Sequence, residues 1–186
     1  MLSSSSSVTR YGGLAQALHW ATAVLVLVAF LYGPGGSESR VYSAARDFDR
    51  RLHETLGLAV LILSLVRIGW RALDRRPDPP AVPPWMGVLS KAVQGVLYLL
   101  LFVVPLTAIA GAWLEGHAVT WLGGDIAPWV AESHGLGATI AEVHGWLGDV
   151  ILWTAGLHAA AALVHHFLLR DGVLRSMLPR GFGPRP

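Results

Sequence analysis

The sequence contains no cysteine and few charged residues. Without cysteine, the chain can form neither disulfides nor thiolate metal sites, and it lacks the C-x-x-C-H motif that attaches haem covalently. Only 14% of its 186 residues are charged, whereas 53% are hydrophobic. A chain of this length and composition is too apolar for an ordinary soluble domain and has no room for a second one. The composition therefore predicts one integral membrane domain over residues 1–186.

Four apolar segments are long enough to cross a bilayer as helices, which takes about 20 residues each. Stretches rich in glycine and proline separate them. The predicted spans cover approximately residues 14–32, 52–70, 89–113 and 144–169. The first span lacks a convincing cleavage site and is expected to be retained, and Pro105 is expected to kink the third. A short interfacial helix is predicted near residues 128–132. The expected fold is an all-α bundle of four transmembrane helices.

Lysine and arginine are distributed unevenly between the two sides of the membrane. With the N-terminus inside, the outer loops hold four of these residues, namely Arg40, Arg46, Arg50 and Arg51. The inner segments hold the other ten, which are Arg10, Arg67, Arg71, Arg75, Arg76, Lys91, Arg170, Arg175, Arg180 and Arg185. Because basic residues favour the cytoplasmic side, this pattern predicts a multi-pass protein of the bacterial inner membrane with both termini in the cytoplasm.

Histidines recur inside the predicted spans at two depths. His144 and His158 lie on nearly the same face of the fourth span, about 21 Å apart. Since the spans alternate in direction, His19 of the first span matches His158 at the inner level, and His53 of the second matches His144 at the outer level. A single intramembrane histidine is equally well explained as a proton relay or a helix-to-helix hydrogen bond. Two matched pairs favour bis-histidine ligation of two stacked b-type haems.

Three motifs surround these histidines: ALHW in the first span, RLHETLG in the second and GLHAAAALVHHFLLRDGVLRSMLPR from the fourth onward. Together they resemble the prokaryotic cytochrome b561 family of dihaem, quinone-linked membrane cytochromes, and the resemblance covers nearly the whole chain. It implies four haem ligands, which match His19, His53, His144 and His158. Members that act as superoxide:ubiquinone oxidoreductases imply the same activity here. The chain departs from them in its long outer loop and at Gly145, where an acidic residue is usual.

Further candidate residues lie near the inner end. His165 shares the face of His158 about 10 Å further along the helix, where it can offer a hydrogen bond or a proton to a quinone. The resemblance also places the matching histidine beside the quinone, so His165 is the candidate catalytic residue. Its neighbour His166 is turned about 80° from His158 and is expected at the interface. Arg67 and Arg71 are expected to pair with inner haem propionates or a quinone head, unless they only anchor the helix.

The outer end offers a second group of candidates. Its four arginines are expected either to pair with outer haem propionates or to guide a small anion to the outer haem. Glu54 and Asp149 are expected to support a histidine N–H, with proton transfer as the alternative. His117 and His134 are expected on the solvated surface. Space for porphyrin faces, or close helix packing, is expected at Gly57, Gly145, Gly148 and Gly156.

These features predict a transmembrane dihaem cytochrome b that oxidises superoxide at the periplasmic side and reduces ubiquinone through the inner haem. Expected partners are membrane lipid, quinone and either superoxide or a redox protein, and no nucleic acid. One alternative is the cytochrome b subunit of a quinone-linked dehydrogenase. Another, from a different class, is a histidine-lined proton or metal transporter, although the spans lack the clustered carboxylates such a transporter would need.

Overall fold

A computed structural model describes residues 10–35, 38–74 and 82–179 of the chain. Within these ranges the helices are α1 (Gly13–Leu31), α2 (Glu38–Val41), α3 (Asp47–Leu73), α4 (Pro84–Leu114), α5 (His134–Val164) and α6 (Val173–Met177). A 3₁₀ turn at Ala44–Arg46 leads into α3, and a π-helical turn at His165–Leu169 continues α5. The strands β1 (Val119–Trp121) and β2 (Gly124–Ile126) form one antiparallel hairpin.

Four helical segments are long and apolar enough to cross a membrane, namely Gly13–Leu31, Ala44–Leu73, Pro84–Leu114 and His134–Leu169. The prediction of a four-helix membrane protein is therefore confirmed. The last three begin before the predicted spans. The added turns of α3 and α5 are polar or contain glycine, and those of α4 follow directly on a proline-rich connection. Large apolar side chains stay exposed on all four, among them Leu27, Leu65, Leu99 and Leu157. Such a surface is expected of helices that contact lipid.

The four long helices pack as two close pairs, α1 with α3 and α4 with α5. The pairs are joined through α3 and α4, whereas the contact between α1 and α5 is slight. Gly111 allows the close approach of α4 and α5, because an added Cβ at this position would lie 3.2 Å from the backbone nitrogen of Ala141. Pro105 lies inside α4 without ending it. The slight contact leaves space between α5 and the first helix pair.

A small apolar core fills the middle of the bundle. It consists of Val60, Leu100, Leu101 and Ile151, which come from α3, α4 and α5. Ile151 lies midway along α5 between the outer and inner histidines of that helix. The core therefore separates an outer polar level of the bundle from an inner one.

The connection between α4 and α5 contains the β-hairpin and not the helix predicted at residues 128–132, so that prediction was wrong. Leu122 and Gly123 form the turn with φ values of 49° and 87°, and two positive φ values are typical of the tightest hairpin turns. Residues 128–132 run past the end of α4, where Trp129 stacks on Trp113 with ring centres 5.6 Å apart. The Gly123-Gly124 pair is the signal in the sequence that favoured a hairpin.

Candidate functional site

The outer level of the bundle brings His53 of α3 and His144 of α5 together. Their ring centres lie 5.9 Å apart and the ring planes make an angle of 82°. The Nδ1 atom of His53 is 2.7 Å from the carbonyl oxygen of Ala29, and that of His144 is 2.9 Å from the carbonyl oxygen of Val104. Because a carbonyl only accepts hydrogen bonds, each Nδ1 carries the proton. The Nε2 lone pair of each ring is then free to bind a metal.

The inner level brings His19 of α1 and His158 of α5 together, with ring centres 6.5 Å apart and an interplanar angle of 77°. Arg67 contacts His19 across a distance of 2.9 Å from its guanidinium to Nδ1. Since a guanidinium only donates, the Nδ1 of His19 accepts this hydrogen bond and Nε2 carries the proton. A metal held at Nε2 would require the proton to move to Nδ1, which could then no longer accept the hydrogen bond from Arg67. Arg67 must then turn to a different acceptor.

The spacing of both pairs suits one metal held between two imidazoles. A bond from a metal to an imidazole nitrogen is about 2 Å long, which places two such rings on one metal with centres about 6 Å apart. Within residues 10–35, 38–74 and 82–179, no group of three or more histidine, cysteine or acidic side chains is placed to hold a metal. A protein site for a bare ion usually supplies three or four ligands. A pair of imidazoles therefore favours a metal whose other positions are filled by a macrocycle.

A small cavity of about 30 Å³ lies beside Arg67, the residue that contacts His19 of the inner pair. It lies between α1, α3, α4 and α6, and its lining includes Tyr11, Arg67, Trp70, Arg71, Asp74 and Tyr98. The guanidinium groups of Arg67 and Arg71 lie 5.4 and 5.6 Å from the ring centre of Tyr98. Arg67 and Arg71, which were predicted to pair with a haem propionate or a quinone at the inner end, thus line the same cavity. The other lining residues were not predicted, because they come from segments far apart in the sequence.

Helix α6 closes one side of this cavity through Met177. Three hydrogen bonds fasten α6 to the first turns of α1. Tyr11 N and Gln16 Nε2 donate to the carbonyl oxygen of Ser176 over 3.1 and 3.0 Å, and Trp20 Nε1 donates to that of Met177 over 2.9 Å. The C-terminal segment is therefore held beside the helix that carries His19.

His165 lies in the π-helical turn after α5 and is held by Asp171. The Nδ1 atom of His165 is 2.5 Å from Asp171 Oδ2, while Asp171 Oδ1 accepts a 3.0 Å hydrogen bond from the backbone nitrogen of Val173. Arg170 makes this turn possible with a left-handed φ of 52°. The carboxylate thus joins His165 to the first turn of α6. His165 does not itself line the inner cavity.

Ion pairs hold three of the four outer arginines. Arg46 pairs with Asp49 at 3.1 Å, Arg50 with Glu54 at 2.9 Å, and Arg51 with Asp125 of the hairpin at 3.3 Å. Arg40 is exposed, and no carboxylate pairs with it among the side chains that the structure describes.

Glu54 fastens the hairpin over the outer end of α3. It accepts a 2.7 Å hydrogen bond from the backbone nitrogen of Thr120 in β1, in addition to its pair with Arg50. The expectation that Glu54 supports a histidine N–H was wrong, because backbone carbonyls hold both outer histidines. Asp149 likewise supports no histidine. It is exposed on α5, and no hydrogen bond or ion pair to another described residue holds it.

The remaining histidines lie outside the two pairs. His117 is half-buried and stacks on Tyr42 with ring centres 3.5 Å apart, so the expectation of a solvated surface was wrong for it. His134 has a side chain that is 67% exposed and lies near Glu115 and Glu132. His166 packs against Phe167, and its Nδ1 atom has no hydrogen-bond partner within the described ranges.

Imidazoles brought together in pairs inside a helical membrane bundle are typical of b-type cytochromes. Comparison with known proteins agrees with this class. The family model "Prokaryotic cytochrome b561" matches residues 10–180, and the chain belongs to that family. It is therefore a membrane electron-transfer protein of a family that binds haem b.

Several curated relatives match along most of their length. The chain is 35% identical over 177 residues to "Cytochrome b562" of Cereibacter sphaeroides, covering 91% of this chain and 96% of the relative. It is 31% identical over 182 residues to "Probable superoxide oxidase CybB" of Yersinia pestis, covering 94% and 98%. It is also 27% identical over 179 residues to "Cytochrome b561 homolog 2" of Escherichia coli K12, covering 95% of each chain.

The residues present fit haem b. Each histidine pair supplies two neutral nitrogen donors at a suitable spacing, and no cysteine competes for the metal. Gly57 and Gly148 lie one turn beyond His53 and His144 on nearly the same helix faces. An added Cβ at either glycine would meet no atom within 4 Å, so these positions border open space and do not mark close helix packing. The same is true of Gly145 and Gly156.

Proposed function

We propose that the protein holds two b-type haems. Electrons pass from one haem to the other and in this way cross the membrane. His53 and His144 would hold the haem at the outer level, and His19 and His158 would hold the one at the inner level. The observation that carries this proposal is the pairing of the four imidazoles at distances of 5.9 and 6.5 Å. Haem supplies the one-electron redox chemistry when bound. The number of haems and their ligands stay predictions until they are measured.

The side chains and carbonyls around each pair then have defined tasks. The carbonyl groups of Ala29 and Val104 fix the orientation of the outer imidazoles and raise their basicity as ligands. At the inner level Arg67 leaves His19 Nδ1 and turns to an anionic acceptor, for which a haem propionate is the natural partner. Arg71 on the next turn is placed for the same kind of partner or for a quinone oxygen.

We place both termini in the cytoplasm of a bacterial inner membrane. The excess of basic residues on that side supports this orientation. Within the described residues the inner side includes Arg67, Arg71, Lys91 and Arg170. Arg75, Arg76, Arg180 and Arg185 also count toward it but lie outside the described residues. In this orientation the hairpin and the four outer arginines face the periplasm.

We propose superoxide as the electron donor at the outer level and ubiquinone as the acceptor beside the inner level. A relative named probable superoxide oxidase, together with the basic residues of the outer end, supports superoxide. The inner cavity with its two arginines supports a quinone head. His165 is proposed to give a proton to the quinone by way of water, since it does not line the cavity itself but is joined through Asp171 to α6, which does.

The visible absorption spectrum of the purified protein tests the haem proposal. We expect sharp reduced bands typical of paired imidazoles, two haems per chain by extraction, and two separate steps in a redox titration. One haem per chain would contradict the two-level arrangement. A protein that purifies folded but without haem would instead support the transporter alternative.

The salt dependence of reduction by superoxide tests the role of the outer arginines. If they attract the anion, the rate should fall by about threefold or more from low to physiological ionic strength, because exposed charges are screened beyond about 8 Å. Arg40→Gln should remove part of this dependence without breaking an ion pair to any described side chain, whereas Arg50→Gln and Arg51→Gln also loosen the hairpin. Stopped-flow mixing with superoxide measures the rate, and Lys91→Gln, on the other side, is the control. A rate that does not respond to salt rules out guidance.

A second candidate function is that of a cytochrome b subunit in a larger dehydrogenase. Asp149 favours it, because an exposed carboxylate within a membrane-spanning helix is costly unless a partner covers it. The isolated chain decides between the two functions. Reduction by superoxide and oxidation by ubiquinone without any added protein favour the oxidoreductase, and failure of both favours a subunit.

A further inference from the structure

A groove opens between α3 and α4 at the inner end of the bundle. Its lining consists of Ile68, Arg71, Lys91, Gln94, Gly95 and Tyr98. The groove has a volume of about 340 Å³, against about 30 Å³ for the small cavity that shares Arg71 and Tyr98 with it. The small cavity has room for water only, whereas the groove can hold a larger molecular group.

The wall of the groove on α4 is a single helix face. Its four residues recur at intervals of three and four, so they lie in one row. They are Lys91, Gln94, Gly95 and Tyr98. Gly95 keeps the groove open, because an added Cβ at this position would meet no atom within 4 Å. The opposite wall comes from Ile68 and Arg71, which lie three residues apart on α3.

The groove carries positive charge and hydrogen-bond donors. Neither Arg71 nor Lys91 forms an ion pair with a carboxylate among the residues that the structure describes. The guanidinium group of Arg71 is held over the ring of Tyr98, 5.6 Å from its centre. Gln94 Nε2 donates one of its two N–H bonds to Ser90 Oγ over 3.0 Å, which leaves the second for a ligand. No carboxylate lines the groove, so it suits an anion.

Apolar side chains continue from the groove toward the middle of the membrane. Leu65 lies one turn before Ile68 on α3 and is 59% exposed, and Leu99 lies one turn after Gly95 on α4 and is 62% exposed. A ligand whose charged end lies between Arg71 and Lys91 therefore meets an apolar surface with its other end. This arrangement is the same whichever side of the membrane this end of the bundle faces.

We propose that the groove binds one anionic phospholipid of the surrounding bilayer. The phosphodiester group accepts hydrogen bonds from Arg71 and Lys91, and an acyl chain lies along Leu65 and Leu99. Basic pockets between transmembrane helices at the membrane surface suit such headgroups. A free phosphate ion would use the two cations but not the apolar surface beside them, which favours a lipid. This site is independent of the proposed haems.

Native mass spectrometry of the purified protein in detergent micelles tests the proposal by counting bound lipids. The protein is titrated with dioleoylphosphatidylglycerol or with dioleoylphosphatidylcholine, which have the same acyl chains but differ in net charge. We expect one phosphatidylglycerol per chain, bound about tenfold or more tighter than phosphatidylcholine. A large excess of inorganic phosphate should not displace it.

Charge variants test the two cations. Arg71→Gln and Lys91→Gln should each weaken the binding of phosphatidylglycerol about fivefold, and the double variant about thirtyfold, which is the usual contribution of basic residues near an anionic membrane surface. Arg175→Gln removes an exposed cation of α6 at the same end of the bundle, outside the groove, and should bind the lipid as the wild type does.

Gly95→Leu separates a built groove from a general attraction between cations and anionic lipid. The substitution keeps every charge but fills the open space beside α4, so binding of phosphatidylglycerol should be lost. Gly87→Leu is the matched control. It adds the same side chain to open space elsewhere on α4, outside the groove, and should leave binding unchanged.

Three results would overturn the proposal. The first is equal binding of the two lipids, and the second is displacement of phosphatidylglycerol by inorganic phosphate, which would make a free anion the ligand. The third is normal binding by Gly95→Leu, since the two cations would then only anchor the helices at the membrane surface. Melting temperatures in lipid-free detergent check the fold of each variant. If Gly95→Leu melts early, the contrast between the double charge variant and Arg175→Gln decides the outcome.

Discussion

Replacing either His19 or His158 by alanine should remove one and the same haem. The ring centres of the two imidazoles lie 6.5 Å apart, so each substitution would remove one of the two histidines that hold a shared metal. His53→Ala and His144→Ala should remove the other haem, since those rings form the second pair at 5.9 Å. Each single variant is expected to retain about one haem per chain, and the two redox steps should be reduced to one.

Redox titration followed by visible absorbance distinguishes the two haems by potential. His19→Ala and His158→Ala should lose the same redox step. His53→Ala and His144→Ala should lose the other step. His134→Ala, which alters an exposed histidine outside both pairs, serves as the control and should keep both steps. If His19→Ala and His144→Ala lacked the same step, the assignment of levels would be wrong.

Replacing His165 by alanine should leave both haem spectra intact and slow quinone reduction by about a hundredfold. General acid catalysis by a positioned side chain contributes this order of rate. The substitution removes the imidazole that Asp171 holds, but no proposed haem ligand. Oxidation of the reduced protein by ubiquinone-1 measures the effect.

Two further variants separate chemistry from packing at this turn. His166→Ala removes the neighbouring imidazole and should keep the wild-type rate. Asp171→Asn keeps His165 but weakens the hydrogen bond that holds its ring. The rate of quinone reduction should therefore fall less than in His165→Ala. An unchanged rate in His165→Ala would assign this histidine to packing or to the membrane interface.

Most of the fold was predicted from the length of the apolar segments and the spacing of the histidines. A helix that crosses lipid needs a long run of apolar residues, irrespective of which helices it packs against. Such runs therefore reveal membrane spans in the sequence. The fourteen-residue interval from His144 to His158 likewise determines a shared face and a depth difference. These are local properties of single helices, and the structure brings the histidines together accordingly. Their role as ligands remains a prediction.

The features that escaped prediction depend on contacts between distant segments. The carboxyl group of Asp74 meets Gly12 only after α1 and α3 have packed, and no local pattern marks Asp74 as part of a cavity. The contact of Glu54 with Thr120 depends on the hairpin, whose turn holds Leu122 at a positive φ that its residue type disfavours. The link from His165 to Asp171 needs the left-handed backbone of Arg170.

If two haems lie at the two histidine levels of α5 in the proposed orientation, electron flow between them would be sensitive to the membrane potential. About 21 Å of a hydrocarbon layer about 30 Å thick lies between His144 and His158. An electron that moves inward between these levels crosses about seven tenths of the field. Against a cell interior that is negative by 100 mV, this displacement costs about 1.6 kcal/mol. The protons for the quinone come from the inner side. No positive charge therefore crosses the core with the electron to offset this cost. The donor must therefore be the stronger reductant by at least this margin, and a polarised membrane slows inward flow while favouring the reverse.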